Sequence, residues 1–141
     1  MVRRGSWLAI ADHSVQGNKL VHERQWAEAI EAYSRGISLD PKKTILYSNR
    51  AISLNNIKQY EKAEQDCNHI LNKDGKSSKA YFQRGVARHG MGRYREALSD
   101  FKKSIEYNQE TNNDSAKAYI ERCNLEIGKL PKQSLKDVLD F

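Results

Sequence analysis

Residues 26–41 read WAEAIEAYSRGISLDP and residues 60–75 read YEKAEQDCNHILNKDG, so an aromatic, a small and a bulky residue return after 34 positions. Residues 94–109, YREALSDFKKSIEYNQ, repeat the pattern at the same distance. Five columns follow this period: Gly17, Ala51 and Gly85; Trp26, Tyr60 and Tyr94; Ala29, Ala63 and Ala97; Tyr33, Cys67 and Phe101; and Asp40, Asp74 and Asn108. Such self-similarity is typical of a repeat protein in which each unit stacks on the next.

Each period contains the pattern of two helices. In the second repeat, the apolar residues of the first helix are Ile45, Leu46, Ile52, Leu54 and Ile57, and one face of the second carries Ala63, Cys67, Ile70 and Leu71. Pro41 and Gly75 each follow an aspartate and end the preceding helix. We therefore expect antiparallel helix pairs joined by short turns, over 8–23 and 26–39, 44–57 and 60–72, and 78–91 and 94–107.

A further helix closes the stack. Residues 112–115, NNDS, form a turn and N-cap cluster, and one helix face then follows at Ala116, Tyr119, Ile120, Cys123 and Ile127. A stack of repeats needs such an atypical end element with a polar outer face. We expect an all-α chain with an N-terminal extension (1–9), three repeats (10–43, 44–77 and 78–111), a capping helix (112–129) and a flexible tail (130–141).

Composition narrows the class of protein. The longest apolar run, Trp7 to Ala11, is far shorter than the ~20 residues that span a bilayer. Arg3 and Arg4 lead into no sustained apolar stretch, so we expect no secretion signal. Two cysteines without CxxC spacing then favour a reducing, cytoplasmic compartment. The net charge of +6 favours acidic partners.

The columns, with the Asp-Pro pair, resemble the tetratricopeptide repeat family over residues 10 to 128. Gly17-Asn18-Lys19-Leu20 and the stretch LYSNRA at 46–51 are similar to its co-chaperone subgroup. Members of that subgroup hold the acidic C-terminal tail, ending Glu-Glu-Val-Asp, of seventy- and ninety-kilodalton heat-shock proteins. The resemblance implies a right-handed superhelical stack, a concave groove lined by the first helix of each repeat, and five groove residues that clamp the terminal carboxylates.

The clamp carries over only in part. Asn18, Asn49 and Lys79 match the family residues, whereas Ser14 and Gln83 stand where the family has a lysine and an arginine. Exchanging two charge-assisted hydrogen bonds for neutral ones costs roughly 2–3 kcal/mol, or one to two decades of affinity. Arg84, one position beyond Gln83, points about 100° further round the helix. We therefore expect an acidic-peptide groove with an incomplete clamp at these five positions.

Other functions stay open at this point. A scaffold that binds a helical or apolar peptide would rely on the groove residues Val15, Ile52, Phe82 and Val86. The basic charge alone favours nucleic acid, but the aromatics occupy core columns and no RNA-binding motif occurs. Polar residues spread evenly along repeats do not converge on a catalytic site, so we expect no enzyme. His13, His22, His69 and His89 lack ligand spacing, so we expect neither metal nor cofactor, and a monomer that binds a protein partner.

Overall fold

The computed structural model describes residues 25–109 and 112–130, and these form six α-helices with no strand among them. The helices are α1 (Trp26–Leu39), α2 (Thr44–Asn56), α3 (Tyr60–Lys73), α4 (Ser78–Gly90), α5 (Tyr94–Tyr107) and α6 (Asp114–Gly128). The all-α expectation is confirmed, and the predicted bounds of α1 to α5 agree to within one residue. The helix expected over 8–23 lies outside the described residues.

The turn before each of α2 and α4 is tied to the helix that follows it. The Tyr47 hydroxyl donates to the carbonyl oxygen of Pro41 at 3.1 Å, and the Tyr81 hydroxyl donates to that of Gly75 at 2.9 Å. The two tyrosines are 34 residues apart, as are the two turn residues. The repeat therefore reproduces a hydrogen bond as well as an apolar pattern, which fixes how each helix pair leads into the next.

The start of α6 lies within the turn and N-cap cluster that the sequence predicts. Asn113 occupies the N-cap position, but its side chain makes no capping hydrogen bond. Its Oδ1 instead accepts from the Asn108 amide, while Asn112 Oδ1 accepts from the Asp114 N–H at 3.0 Å. The N-cap therefore falls within the predicted cluster of residues 112–115, and the Asn113 side chain binds back to the end of α5.

Small and bulky columns build the core between consecutive helices. The alanines at 29, 63 and 97 and the bulky residues at 33, 67 and 101 are fully buried. A Cβ added to Gly85 would lie 2.8 Å from Phe101 Cε1, so a glycine at this position allows α4 and α5 to approach closely. The columns read from the sequence are thus the contacts that hold neighbouring helices together.

Buried ion pairs join the same helices and also follow the repeat. Arg50 donates to both carboxylate oxygens of Asp66, at 2.8 and 2.7 Å, and to Ser34 Oγ at 3.1 Å. The equivalent Arg84, 34 residues on, forms the same arrangement with Asp100 and Asn68. Each guanidinium therefore ties its own helix to the helices on either side of it in the chain.

Candidate functional site

The first helices of the second and third pairs, α2 and α4, pack against each other, and α4 also contacts the capping helix α6. A cleft of about 280 Å³ opens between these three helices. Among the described residues, its walls are contributed by Ile52, Asn55, Asn56, Tyr60, Phe82, Gln83, Val86, His89, Gly90 and Tyr119. All of these except Tyr60, which starts α3, lie on α2, α4 or α6.

Four of the groove residues proposed from the sequence meet in this cleft. Ile52 comes from α2, and Phe82, Gln83 and Val86 come from α4. Phe82 is held by edge-to-face contacts with Phe101 and Tyr119, at centroid distances of 5.5 and 5.8 Å. The aromatic wall is therefore positioned by both α5 and α6. Gln83 was predicted as a peptide-binding position and the other three as groove-lining ones, and the remaining groove-lining position, Val15, lies outside the described residues.

Asn49 and Lys79 are on the two helices that form most of these walls, but neither lines the cleft. Asn49 is half-buried and precedes Ile52 by three residues, while Lys79 is exposed and precedes Gln83 by four. Side chains three or four residues apart share a helix face, so Asn49 is on the face of Ile52 and Lys79 on that of Gln83, each one turn nearer the N-terminus of its helix. Asn18 and Ser14 lie outside the described residues, and their place relative to Asn49 and Lys79 stays a prediction.

Gln83 is engaged by a neighbour across the groove. The Asn55 Nδ2 donates to Gln83 Oε1 at 3.0 Å and to the Gln83 backbone carbonyl oxygen at 3.0 Å. The Gln83 amide nitrogen still has donors to offer, but the group is neutral. Lys79 is therefore the cation that the described part of the proposed clamp contributes.

Arg84 does not replace the missing clamp arginine. Its Nε and Nη2 donate to Asp100 Oδ2 and Oδ1 at 3.1 and 2.9 Å, and its Nη1 donates to Asn68 Oδ1 at 2.9 Å. Burial opposes its charge, but the hydrogen bond and attraction to Asp100 outweigh burial and raise the pKa of Arg84. These contacts join α4 to α5 and α3, in agreement with the expectation that Arg84 points further round the helix than Gln83.

The cleft contains polar residues that the sequence analysis did not assign to it. Asn55 is buried and His89 is half-buried, and Asn55 Oδ1 and His89 Nε2 have no hydrogen-bond partner within the described ranges. Burial lowers the pKa of His89, Arg122 lowers it further, and Glu126 opposes both. One available signal was the position of Asn55, three residues after the groove residue Ile52, because asparagine is disfavoured inside helices.

Both cysteine thiols that the structure describes are buried, and the described residues form no metal-binding cluster. Cys67 and Cys123 are free and buried, and burial raises the pKa of Cys67 to about 12, so its thiolate is not populated near neutral pH. Over 25–109 and 112–130, no cluster of three or more potential ligand side chains is arranged to hold a metal. Nor does any helix in that part of the chain have the length and apolar character needed to cross a bilayer.

Comparisons with known proteins agree with this architecture. The sequence profile of the tetratricopeptide repeat matches residues 78–111. The second tetratricopeptide domain of human RPAP3, solved by NMR in complex with the HSP70 peptide SGPTIEEVD, is 32% identical to the chain. The two structures superpose with a TM-score of 0.75, over 85% of this chain and 98% of that domain. The chain belongs to the tetratricopeptide repeat family.

Two more relatives of this tetratricopeptide chain extend the likeness. The first tetratricopeptide domain of Spaghetti (RPAP3), bound to the HSP90 peptide SRMEEVD, is 29% identical with a TM-score of 0.78, over 92% of this chain and all of that one (100%). RNA polymerase II-associated protein 3 of Xenopus tropicalis is 36% identical over 112 residues, which is 79% of this chain. The chain spans only 17% of that relative's length, so the likeness concerns one domain of a longer protein.

Proposed function

We propose that this tetratricopeptide domain is a non-catalytic, cytoplasmic adaptor module that binds the acidic C-terminal peptide of a seventy- or ninety-kilodalton heat-shock protein in its groove. The observation that carries the proposal is the cleft between α2, α4 and α6, with Asn49 three residues before its lining residue Ile52 and Lys79 four before Gln83. Related domains solved with the peptides SGPTIEEVD and SRMEEVD support it.

In this proposal each polar group has a distinct role. The exposed Lys79 ammonium pairs with the terminal carboxylates, and the Asn49 amide donates a second hydrogen bond to them. Gln83 contributes a neutral donor from its amide nitrogen, because its oxygen already accepts from Asn55. From the first repeat, Asn18 and Ser14 complete the set of five peptide-binding positions. With two neutral groups in place of cations, the domain binds such peptides one to two decades more weakly than a full clamp.

A scaffold that takes an apolar or helical peptide is the second candidate. Ile52, Phe82 and Val86 give the cleft apolar walls, which is the observation that favours it. Such a ligand depends on these walls, and its affinity changes little with the charge at Lys79. The affinity for an acidic tail instead depends strongly on that charge. Reversing the charge at Lys79 therefore distinguishes the two candidates.

Isothermal titration calorimetry with SGPTIEEVD and SRMEEVD tests the proposal. We expect saturable binding that is abolished when the peptide's C-terminal carboxylate is amidated. Lys79→Glu should weaken binding at least tenfold, because it replaces attraction with repulsion. Lys62→Glu is the matched control, an identical charge reversal at an exposed position of α3 that does not line the cleft. The absence of heat at millimolar peptide would overturn the proposal.

A further inference from the structure

An open cleft of about 460 Å³ follows one face of α5, and none of its described lining residues belongs to the cleft between α2, α4 and α6. Its described lining is Arg95, Leu98, Ser99, Lys102, Lys103 and Glu106. Arg95, Lys102 and Lys103, the cationic face of α5, are all exposed and span eight residues, which is about 12 Å along the helix. The cleft therefore presents three positive charges to solvent, and Glu106 lies beyond them.

The charges of the cationic face are not taken up by the part of the chain that the structure describes. No ion pair among those residues includes any of its three cations. By contrast, Arg93 on the same stretch of chain pairs with Glu64 and Glu96. Lys103 is also held in place, because its Nζ is 5.5 Å from the centre of the Tyr81 ring. The face is therefore a positioned group of cations without a counter-charge in the described residues.

The cationic face departs from the 34-residue repeat. At its three positions the second helices of the first two pairs hold Ala27, Ser34 and Arg35 in α1 and Glu61, Asn68 and His69 in α3. Contacts that stack one pair on the next recur in every repeat, as the alanine and aromatic columns do. A cluster of three cations in the third pair alone is therefore not explained by stacking.

The weakness of exposed ion pairs favours a tethered occupant of this face. Such pairs are individually weak and are screened by salt, so three of them hold a separate partner poorly. A segment of the same chain avoids this limit, because tethering gives it an effective concentration of about a millimolar. Residues 137–141 read DVLDF, with two carboxylates, three apolar residues and no cation, while Lys132 and Lys136 precede them. The chain itself therefore contains a segment of complementary charge.

The path of the chain brings this segment within reach of α5. Helices α5 and α6 pack against each other and are joined by residues 108–113, so they run antiparallel. The end of α6 at Gly128 therefore lies near the start of α5. The nine residues from there to Asp137 span about 13 Å as a helix and about 30 Å when extended. Lys103 is about 13 Å along α5 from its start, so the carboxylates reach every cation of the face.

We propose that the cationic face of α5 binds the chain's own segment 137–141, with Asp137 and Asp140 paired to its cations and the apolar residues of the segment against the half-buried Leu98. Part of the stretch that the sequence analysis expects to be a flexible tail is then held on the α5 side of the domain. The inference uses no residue of the peptide groove, so it stands or falls separately from the proposed function.

NMR relaxation of the ¹⁵N-labelled full chain tests this docking. At low salt we expect backbone order parameters above ~0.6 for residues 137–140, because a free segment gives values below ~0.6. At about 1 M salt, where the screening length falls to ~3 Å, the values should drop below that limit. Low-salt values below ~0.6 in the wild-type chain would overturn the inference.

Charge reversal identifies the surface that holds the segment. Lys102→Glu combined with Lys103→Glu should bring the order parameters of 137–140 below ~0.6. Lys62→Glu combined with Lys73→Glu is the matched control, because it changes the net charge equally at exposed positions of α3, and it should leave them unchanged. A segment that stays ordered in the α5 variant is held elsewhere, and that result would overturn the inference.

A reciprocal exchange checks that the contact is electrostatic. Adding Asp137→Lys and Asp140→Lys to the α5 variant reverses both sides and should restore order parameters above ~0.6, whereas no recovery would contradict the proposed pairing. Titration of the wild-type chain with amidated hexaglutamate covers the other occupant. If residues 137–140 are mobile and this peptide shifts the amide signals of α5, the face belongs to a separate acidic partner and the inference is overturned.

Discussion

Asp100 is the centre of the most buried ion-pair cluster that the structure describes, and its replacement by asparagine should be costly. The carboxylate is 1% exposed and accepts from Arg84 at 3.1 and 2.9 Å and from Arg88 at 2.9 Å. Asp100→Asn removes the negative charge that two guanidinium groups share, each 16% exposed: Arg84 is left beside the neutral Asn68, while Arg88 keeps its pair with Glu64. Removing one partner of a buried pair lowers the free energy of unfolding by ~3–5 kcal/mol. Because both arginines are partly exposed, we expect a loss of about 3 kcal/mol for Asp100→Asn.

Asp66→Asn is a matched comparison at the same place in the preceding repeat. Asp66 is also buried, but it serves the single guanidinium of Arg50, whose side chain is 23% exposed, so we expect a loss of about 1.5 kcal/mol. Urea unfolding followed by circular dichroism gives both values, provided that the two variants keep the wild-type slope. Equal losses, or a loss below about 1 kcal/mol at Asp100, would refute the idea that this carboxylate neutralises two buried cations.

Three further changes test the pH dependence, the packing and the buried thiol. Burial opposes ionisation of Glu64, but hydrogen bonds from two arginines prevail and lower its pKa below the ordinary 4.5. Its stabilising contribution is therefore complete above pH 4.5 and is lost as the pH falls through the lower folded value, so Glu64→Gln should flatten the acid limb of a stability-against-pH curve. Gly85→Ala should destabilise the domain by ~1–3 kcal/mol in urea unfolding because the new Cβ meets the Phe101 ring. Gly128→Ala, where a Cβ meets nothing within 4 Å, should be neutral or stabilising. Cys67 should resist a thiol reagent in the native domain and react in urea, and rapid labelling of the native protein would contradict its burial.

The helices could be predicted from the sequence because small and bulky residues recur in the same register. A column such as Ala29, Ala63 and Ala97 combines a helical period with a 34-residue repeat, and each signal supports the other. These residues were expected in the core, and all three alanines are fully buried. The periodic spacing of apolar residues can be read directly from the sequence, so the predicted helices and buried columns needed little correction.

The ion pairs could have been found by the same register but were not. Arg50 and Arg84 are 34 residues apart, as are Asp66 and Asp100, yet charged residues are usually solvated and were read in that way. Their partners lie 16 residues away on another helix, a separation that a single-helix pattern does not reveal. Charged residues that recur at the 34-residue period therefore also predict contacts between helices, just as recurring apolar residues do.

The polar side of the cleft could not be predicted, because it depends on which atoms pair across two helices. Asn55 and Gln83 are 28 residues apart, outside the repeat register, and only the folded arrangement brings Nδ2 to both oxygens of Gln83. Ile52, Phe82 and Val86 were assigned to the groove from the sequence, and all three line the cleft between α2, α4 and α6. The apolar walls of the cleft can be predicted from residue type. Whether the Asn55 oxygen is paired is known only once every hydrogen bond around it is known.

Glutamine at position 83, where the family has an arginine, accounts both for the missing clamp cation and for the polar contact in the cleft. An arginine at position 83 would have five donors and no acceptor, so it would offer no side-chain oxygen to Asn55 Nδ2. Glutamine supplies that oxygen at 3.0 Å, which helps to hold the Asn55 amide in the orientation that leaves Oδ1 unpaired. Arg84 cannot restore the charge, because its guanidinium is bound to Asp100 and Asn68. Glutamine at position 83 therefore removes a cation from the proposed clamp and also supplies a hydrogen bond that links α2 to α4.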